Sequence, residues 1–76
     1  MSDVTIEYCV PCGFRERALE VQEVVLGAVE AELDSLELVM GDHGVFTVTV
    51  DDQTVYDKEE DAYDPDEIAR NVRAQL

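Results

Sequence analysis

Apolar and polar residues alternate over residues 4–10, where Val4, Ile6 and Tyr8 fall on one side of an extended chain. A period of two along a segment of this length predicts a β-strand with one buried face. Pro11 and a glycine shortly after it interrupt the pattern. The first strand is therefore expected to end in a turn at this point.

From about Phe14 the apolar residues take up the spacing of a helix. The positions that share its apolar face are Phe14, Ala18, Val21, Val25, Leu26, Ala28, Val29 and Leu33. The opposite side is mostly glutamate, so the segment is predicted to form an amphipathic helix. Because Glu32 falls on the apolar side, the last turn is expected to fray.

In the middle of the chain, turn residues separate short apolar runs. Strands are predicted at residues 36–40, 45–50 and 54–58, of which the second has the clearest alternation. A Gly-Asp-His-Gly turn at 41–44 separates the first two. The Asp-Asp pair at 51–52 stands where a hairpin turn would join the last two, although Asp-Gly is the stronger signal for such a turn.

A second helix is predicted from the signals at its start. Asp64 is in position to be the N-cap, Pro65 suits the first helical position, and Glu67 completes a capping box. Ile68, Val72 and Leu76 then recur at the spacing of one helix face.

The predicted order of elements is strand, helix, strand, strand, strand, helix. A strand-helix-strand connection favours parallel strands joined by a right-handed crossover. We therefore predict one domain over residues 1–76, with an α/β fold in which two helices pack on a four-stranded mixed sheet.

The composition is strongly acidic, since nineteen Asp and Glu residues against five Lys and Arg give a formal net charge of -14. This excess disfavours nucleic acid as a partner, because phosphate backbones are bound by Lys and Arg. At about 1 M salt the Debye length falls to roughly 3 Å, which screens repulsion between carboxylates. The composition therefore suggests a halophilic host, such as an archaeon. A DNA-mimicking or cation-buffering protein is the alternative, but the acidic residues are dispersed along the chain rather than gathered in one tail.

The sequence shows no sign of membrane insertion or export. No apolar run approaches the roughly 20 residues needed to cross a bilayer. The first residues also lack the basic and apolar regions of a signal peptide. A cytoplasmic protein without membrane association is the resulting expectation.

The only two cysteines, Cys9 and Cys12, lie in the predicted turn between the first strand and the first helix. A helix N-terminus carries roughly half a positive charge, which stabilises a thiolate placed there. Arg15 and Arg17 add positive charge within the first turn. The spacing allows the sulfurs to meet in a short loop, so that one thiolate attacks a partner disulfide and the other resolves the mixed disulfide. We therefore predict dithiol-disulfide exchange by Cys9 and Cys12.

Three other interpretations of the cysteine pair are less favoured. A structural zinc site needs four ligands, and beyond the pair the chain offers only His43, so no metal or other cofactor is predicted unless two copies share one. A purely structural disulfide across so short a loop would remove little unfolded-state entropy, and the cytosol would tend to reduce it. Two idle core thiols would suit Cys9 but not Cys12, which precedes a glycine at a turn.

Three motifs, taken in order, resemble the Rdx or selenoprotein W-like family. They are YCVPCGF after the first strand, GDHGVFTVTVDDQTVYDK across the hairpin, and DPDEIARNV at the start of the last helix. The resemblance covers nearly the whole chain and implies a thioredoxin-like fold with a thiol-based redox role. In selenoprotein members the second position of the cysteine motif holds selenocysteine, which implies that Cys12 is the attacking sulfur. The analogy with thioredoxin points instead to Cys9, and the stretch GDHGVF lacks the proline that thioredoxins place there.

Two other function classes fit parts of the sequence. A non-catalytic interaction module switched by its disulfide state would use the same cysteine pair. A ubiquitin-like modifier or sulfur carrier would end in Gly-Gly, whereas this sequence ends VRAQL in a predicted helix. The preferred hypothesis is a thiol-disulfide redox protein that uses Cys9 and Cys12 with a protein thiol or a low-molecular-weight thiol.

Overall fold

The computed structural model describes residues 2–76, which form two helices and four strands. In chain order the elements are β1 (Ser2–Cys9), α1 (Arg15–Val29), β2 (Leu33–Gly41), β3 (Phe46–Val50), β4 (Gln53–Asp57) and α2 (Pro65–Ala74), with a short 3-10 turn at Glu30–Glu32. The predicted order of elements is confirmed.

The strands form one mixed sheet in the order β2-β1-β3-β4. β1 and β2 are parallel and are joined through α1, whereas the other neighbouring pairs are antiparallel. β1, β2 and β4 therefore run in one direction. As a result, their carboxyl ends and the start of β3 lie at the same edge of the sheet.

One face of the sheet is buried under the two helices. In the central strands, the buried partners in register are Val4 with Val50, Ile6 with Val48, and Tyr8 with Phe46. The helices add Ala18, Val21, Val25, Val29, Ile68, Ala69 and Val72 to this core. The alternation predicted for β1 and β3 is thus confirmed. Since full burial of one Val, Ile or Phe side chain is worth about 1.5–3 kcal/mol, this layer is the main source of stability.

The second face of the sheet carries polar side chains and is partly exposed. Asp3, Thr5 and Glu7 of β1 alternate with the core residues and point to this face. The fold is therefore a two-layer sandwich. Neither of the helices within residues 2–76 is long and apolar enough to span a membrane.

α1 differs from the predicted helix at both ends. Phe14 precedes the helix as its N-cap residue, and Leu33 lies in β2 rather than in a last helical turn. Leu33 pairs with Ser2 of β1, so sheet pairing replaces helical hydrogen bonding at this position. Ala28 and Val29 were both predicted on the apolar face, but only Val29 is buried and Ala28 is exposed.

The hairpin turn predicted at residues 51–52 is confirmed. Asp51 and Asp52 have φ angles of 47° and 75°. Two positive φ values are the mark of the type I′ turn, whose twist matches that of hairpin strands. The Asp51 carboxylate also accepts a hydrogen bond from the backbone N–H of Asp3 at 3.0 Å. This bond, with a second from the side chain of Ser2, lowers the pKa of Asp51.

Asp64 caps α2 as predicted. Its carboxylate accepts hydrogen bonds from the backbone N–H groups of Asp66 at 3.1 Å and Glu67 at 3.3 Å. A cap of this kind is worth about 1 kcal/mol, and Pro65 is the first helical residue. The helix ends at Ala74, so Leu76 lies beyond it and is 39% exposed instead of joining Ile68 and Val72 in the core. In the predicted capping box, the Glu67 carboxylate would accept a hydrogen bond from the backbone N–H of Asp64. It accepts one from the Arg70 guanidinium instead, at 2.8 Å. A charged donor makes a stronger hydrogen bond than a backbone N–H.

Candidate redox site

Cys9 and Cys12 are joined by a disulfide bond, with their Cα atoms 5.3 Å apart. That separation is normal for a disulfide. Cys9 is the last residue of β1, and Cys12 lies in the turn that leads into α1. The structure thus brings together the two residues that the sequence analysis selected.

The loop that carries the disulfide is closed by backbone hydrogen bonds. The N–H of Phe14 donates to the carbonyl of Cys9 at 3.4 Å, and the N–H of Gly13 donates to the carbonyl of Val10 at 3.2 Å. Gly13 has a φ of 77°, a left-handed conformation that glycine adopts at little cost. These contacts fix the short turn between β1 and α1 that holds the two sulfurs together.

The turn between β2 and β3 flanks the same loop. The N–H of Cys9 donates to the carbonyl of Val45 at 2.7 Å, and the N–H of Val10 donates to the carbonyl of Gly41 at 3.1 Å. A Cβ atom on Gly41 would lie 2.8 Å from the Val45 side chain and 2.9 Å from the Glu7 carboxylate. A glycine is therefore needed at this position, a requirement that the sequence analysis did not identify.

The two cysteines differ in exposure. Cys9 is 0% exposed, whereas Cys12 is an exposed residue. A second thiol can therefore approach the disulfide from the side of Cys12. This asymmetry favours Cys12 as the sulfur that meets a partner.

The N-terminus of α1 follows directly after Cys12 and has no side-chain cap. Phe14 occupies the N-cap position without accepting a side-chain hydrogen bond, and its carbonyl accepts the first helical bond from Ala18 at 3.0 Å. The first N–H groups of the helix and its dipole favour negative charge at this end. Arg15 and Arg17, both exposed, add positive charge to the same turn.

Four aromatic rings, which we call the aromatic cluster, pack at the same edge of the sheet. Around Phe46, the ring centroids of Phe14, Tyr56 and Tyr63 lie at 5.9, 5.7 and 6.0 Å, respectively. Phe46 begins β3 and pairs with Tyr8, the residue before Cys9. Centroid distances in this range are favourable for aromatic pairs. The cluster therefore supports the cysteine loop from the core side.

Two cations contact the Phe14 ring. The guanidinium carbon of Arg17 lies 5.4 Å from the ring centroid, and Nζ of Lys58 lies 5.7 Å from it. Arg17 also lies 5.1 Å from the centroid of Tyr63, so its guanidinium contacts two rings. Each cation-π contact is worth about 0.5–1 kcal/mol at an exposed site. The sequence places Arg17 in the first turn of the helix beside the cysteines, whereas no local pattern places Lys58 beside Phe14.

Tyr63 adds a hydrogen bond to this group. Its hydroxyl donates to the carboxylate of Glu20 at 2.6 Å. Burial raises the pKa of Tyr63, and the Glu20 carboxylate raises it further. Burial likewise raises the pKa of Tyr56. Both phenols are therefore neutral near neutral pH, and Tyr63 acts as a hydrogen-bond donor.

His43 lies at the exposed tip of the turn between β2 and β3. Its side chain is 92% exposed and lies 3.5 Å from the carboxylate of Asp42. His43 is therefore a surface residue, and Gly44 beside it has a φ of 77°, a left-handed conformation that glycine adopts at little cost. Within residues 2–76, no group of three or more His, Cys, Asp or Glu side chains is arranged to hold a metal ion.

Similarity to known proteins extends over nearly the whole chain. The model of the Rdx family matches residues 3–74. The chain belongs to the Rdx family. This membership confirms the resemblance that the three sequence motifs indicated, whereas no curated protein sequence matches the chain.

Two solved structures have the same fold as this member of the Rdx family. A protein from Bordetella parapertussis is 26% identical, with a TM-score of 0.91, over 99% of this chain and 98% of that one. A selenoprotein W-related protein from Vibrio cholerae is 17% identical, with a TM-score of 0.88, over 97% and 95% of the two chains. The predicted thioredoxin-like, selenoprotein W-like fold is confirmed, and a disulfide at this spacing fits a redox role.

Proposed function

We propose that this Rdx-family protein is a thiol-disulfide redox protein in which Cys9 and Cys12 form a reversible couple. The disulfide between a buried and an exposed cysteine at the start of a helix supports this most directly. The exposed sulfur provides the point of entry for a partner, and the buried sulfur resolves the intermediate. The partner is a protein thiol or a low-molecular-weight thiol.

Each half of the exchange transfers one sulfur-sulfur bond. The Cys12 thiolate attacks one sulfur of a partner disulfide, so that a Cys12-partner bond forms and the partner's other sulfur leaves as a thiolate. Cys9 loses its proton and attacks the Cys12 sulfur, which forms the Cys9–Cys12 bond and releases the remaining partner sulfur. The partner disulfide is thereby reduced by two electrons, and the dithiol of this protein is oxidised. The reverse sequence oxidises a partner dithiol.

The environment of each cysteine suits its part in this exchange. The uncapped N-terminus of α1 and the positive charge of Arg15 favour a thiolate at Cys12. Cys9 is enclosed and is reached only by a sulfur already bound to Cys12. The mixed disulfide at Cys12 is short-lived, because Cys9, the resolving sulfur, is held in the same closed turn.

We also propose the cytoplasm of a halophilic host as the place of this reaction. A reversible couple needs a thiol pool that returns it to the reduced state, and the cytosol supplies one. The excess of carboxylates, with a formal net charge of -14, is suited to high salt because counterions screen their repulsion.

A redox-switched interaction module is the second candidate. Two apolar side chains beside the disulfide, Val10 and Met40, are 50% and 66% exposed. Val10 lies between the cysteines and is hydrogen-bonded to Gly41, the residue after Met40. Opening the disulfide would release the loop that carries Val10 and change this apolar surface. The redox state would then control binding instead of turnover.

A redox titration in about 1 M salt tests the proposed function. The protein is equilibrated against thiol-disulfide mixtures of set potential, and its free thiols are counted by mass spectrometry after alkylation. We expect one two-electron transition in the wild type and none in Cys9→Ser or Cys12→Ser. If the wild type forms no internal disulfide under any oxidising condition, the proposal fails. Repeated turnover of a model disulfide would favour the enzyme over the switch.

A further inference from the structure

Arg17 is one of only five basic residues in a chain of formal net charge -14. The ion pairs formed within residues 2–76 do not include Arg17. Glu20, one turn further along α1, instead accepts the hydroxyl hydrogen of Tyr63 at 2.6 Å. The Arg17 guanidinium lies against the rings of Phe14 and Tyr63 and keeps its charge available.

A second cation lies against the same ring. Nζ of Lys58 is 5.7 Å from the centroid of Phe14. Lys58 is paired with Glu59 at 3.6 Å, but Glu59 is 76% exposed, and such surface pairs contribute little. We call Phe14, Arg17 and Lys58 the cation platform. In a chain with five basic residues, two therefore lie against one aromatic ring.

The cation platform is held next to the disulfide by the backbone. Phe14 follows Cys12 by two positions, and its N–H donates to the carbonyl of Cys9 at 3.4 Å. The N–H of Lys58 donates to the carbonyl of Phe46 at 3.0 Å, which brings the end of β4 to the same edge of the sheet. A group bound at the platform is therefore a close neighbour of the exposed cysteine.

We propose that the cation platform binds the carboxylate of a low-molecular-weight thiol whose sulfur exchanges with Cys12. This inference rests on the redox function proposed above and assigns its substrate class. A guanidinium fork pairs well with a carboxylate, and the ammonium group of Lys58 adds a second positive charge. The same charges give no advantage to a neutral thiol and repel a cationic one.

The charge distribution favours a small ligand over an acidic protein. At about 0.1–0.15 M ionic strength the Debye length is roughly 8–10 Å, so a small anion at the platform interacts with Arg17, Lys58 and the nearby carboxylates of Glu20 and Glu59, and the more distant carboxylates are screened. An acidic protein surface would face many of the nineteen Asp and Glu residues at once. Repulsion across that wider contact would offset the local attraction.

The exchange balances without a further reagent. The thiolate of the bound thiol attacks the Cys12 sulfur, a ligand-Cys12 bond forms, and the Cys9–Cys12 bond breaks with its electron pair on Cys9, which takes a proton from water. A second molecule of the thiol, as its thiolate, then attacks the ligand sulfur and releases Cys12. Two thiols are oxidised to one disulfide, and the protein disulfide is reduced to a dithiol.

Three small thiols of different charge test this assignment. The oxidised protein is mixed with an excess of mercaptoacetate, 2-mercaptoethanol or cysteamine, and its decay is followed by acid quench and mass spectrometry. For each thiol the rate with a variant is divided by the rate with the wild type, so that the intrinsic reactivity of the thiol cancels. The variants are Arg17→Gln, Lys58→Gln and Arg17→Lys. Arg70→Gln is the matched control, because it removes one positive charge from α2, where Arg70 is paired with Glu67.

We expect Arg17→Gln to reduce the rate of disulfide opening by mercaptoacetate about two- to fivefold, which is the effect of one exposed charge pair. The rate with 2-mercaptoethanol should be unchanged, and that with cysteamine should rise. Lys58→Gln should act in the same direction, Arg17→Lys should keep most of the preference, and Arg70→Gln should change none of the three rates. The preference should shrink in about 1 M salt.

Several results would overturn the inference. Equal slowing of all three thiols by Arg17→Gln would show that Arg17 only supports the loop. An unchanged ratio for mercaptoacetate would show that the platform does not bind the carboxylate. A charge preference seen with acidic cysteine-containing peptides, but not with mercaptoacetate, would contradict a low-molecular-weight partner. If no thiol opens the wild-type disulfide, the proposed redox function itself fails. If the thiols do open it but Arg17→Gln gives the same variant-to-wild-type ratio for all three, the redox function stands without this substrate class.

Discussion

Tyr63 and Glu20 are joined by a hydrogen bond of 2.6 Å between the phenol and the carboxylate, which ties the segment before α2 to α1. The same hydroxyl lies 3.4 Å from the backbone carbonyl of Arg17. The Tyr63 ring also packs on Phe46 of the core and contacts the Arg17 guanidinium. This one side chain therefore connects the core, the first turn of α1 and the surroundings of the disulfide.

We expect the stability to fall at high pH in part through Tyr63. Burial and the Glu20 carboxylate raise the pKa of Tyr63 above its ordinary value of 10.0. Tyr63 therefore ionises at lower pH in the unfolded chain than in the folded one. Its contribution to the free energy of unfolding is complete below about pH 10 and is lost as the pH rises through the folded pKa. Urea unfolding of Tyr63→Phe should therefore show a smaller loss of stability between about pH 8 and pH 11 than that of the wild type. Equal losses in both proteins would contradict this assignment.

The type I′ turn offers a direct way to stabilise the protein. Asp52 has a φ of 75°, where an L-residue is strained and glycine is not. Asp52→Gly should therefore raise the free energy of unfolding by about 0.5–1 kcal/mol. Thermal or urea denaturation in one buffer measures the change.

Asp51→Gly is the matched control for this substitution. It relieves the same kind of backbone strain, since Asp51 has a φ of 47°. It also removes the carboxylate that accepts the Asp3 N–H at 3.0 Å. We therefore expect little gain or a net loss from Asp51→Gly, and an equal gain from both variants would show that the Asp3 contact contributes nothing.

The sequence predicts most of the fold because its signals are local. The cap at Asp64, the turn at 51–52 and the alternation along β1 each depend on residues close together in the chain. The cysteine pair is recognised for the same reason, since its spacing and its position between a strand and a helix are read from one short segment. The start of β2 at Leu33 could not be read this way, because it depends on parallel pairing with Ser2.

The surroundings of the cysteines depend on contacts between distant segments. Phe14 and Lys58 are far apart in sequence, and only the order of strands brings the end of β4 beside the start of α1. The Tyr63–Glu20 contact likewise spans 43 positions. The exposure of Cys12 and the burial of Cys9 follow from packing as well. The redox pair and the poor burial of Cys12 at its turn are therefore predictable from the sequence, whereas the cation platform is not.

The stability should depend strongly on salt. With a formal net charge of -14, the carboxylates of the folded chain lie close together, and their mutual repulsion destabilises the folded state. Counterions screen this repulsion. We expect the urea midpoint to rise as sodium chloride increases from about 0.05 M to about 2 M, with most of the gain where the Debye length falls below roughly 10 Å. A midpoint that does not change with salt would argue against this explanation of the acidic composition.

A charge-reduced variant separates screening from general salt effects. Glu23, Glu30 and Glu32 are exposed. Their combined replacement by Gln changes the formal net charge from -14 to -11. This variant should be more stable than the wild type at low salt, and its midpoint should rise less as salt is added. Equal slopes in the two proteins would indicate preferential exclusion of salt instead of screening.

The exposure of the two cysteines predicts how they react when each is alone. In Cys9→Ser the remaining Cys12 is exposed at the start of α1, whereas in Cys12→Ser the remaining Cys9 is 0% exposed. Iodoacetamide should therefore alkylate Cys12 faster than Cys9 by about tenfold or more near neutral pH, because reactivity follows thiolate character and access. The rates are measured by intact-mass spectrometry, and the Cys9 rate should approach that of Cys12 once both variants are unfolded in urea. Equal rates in the folded proteins would remove the reason for assigning Cys12 as the sulfur that meets a partner.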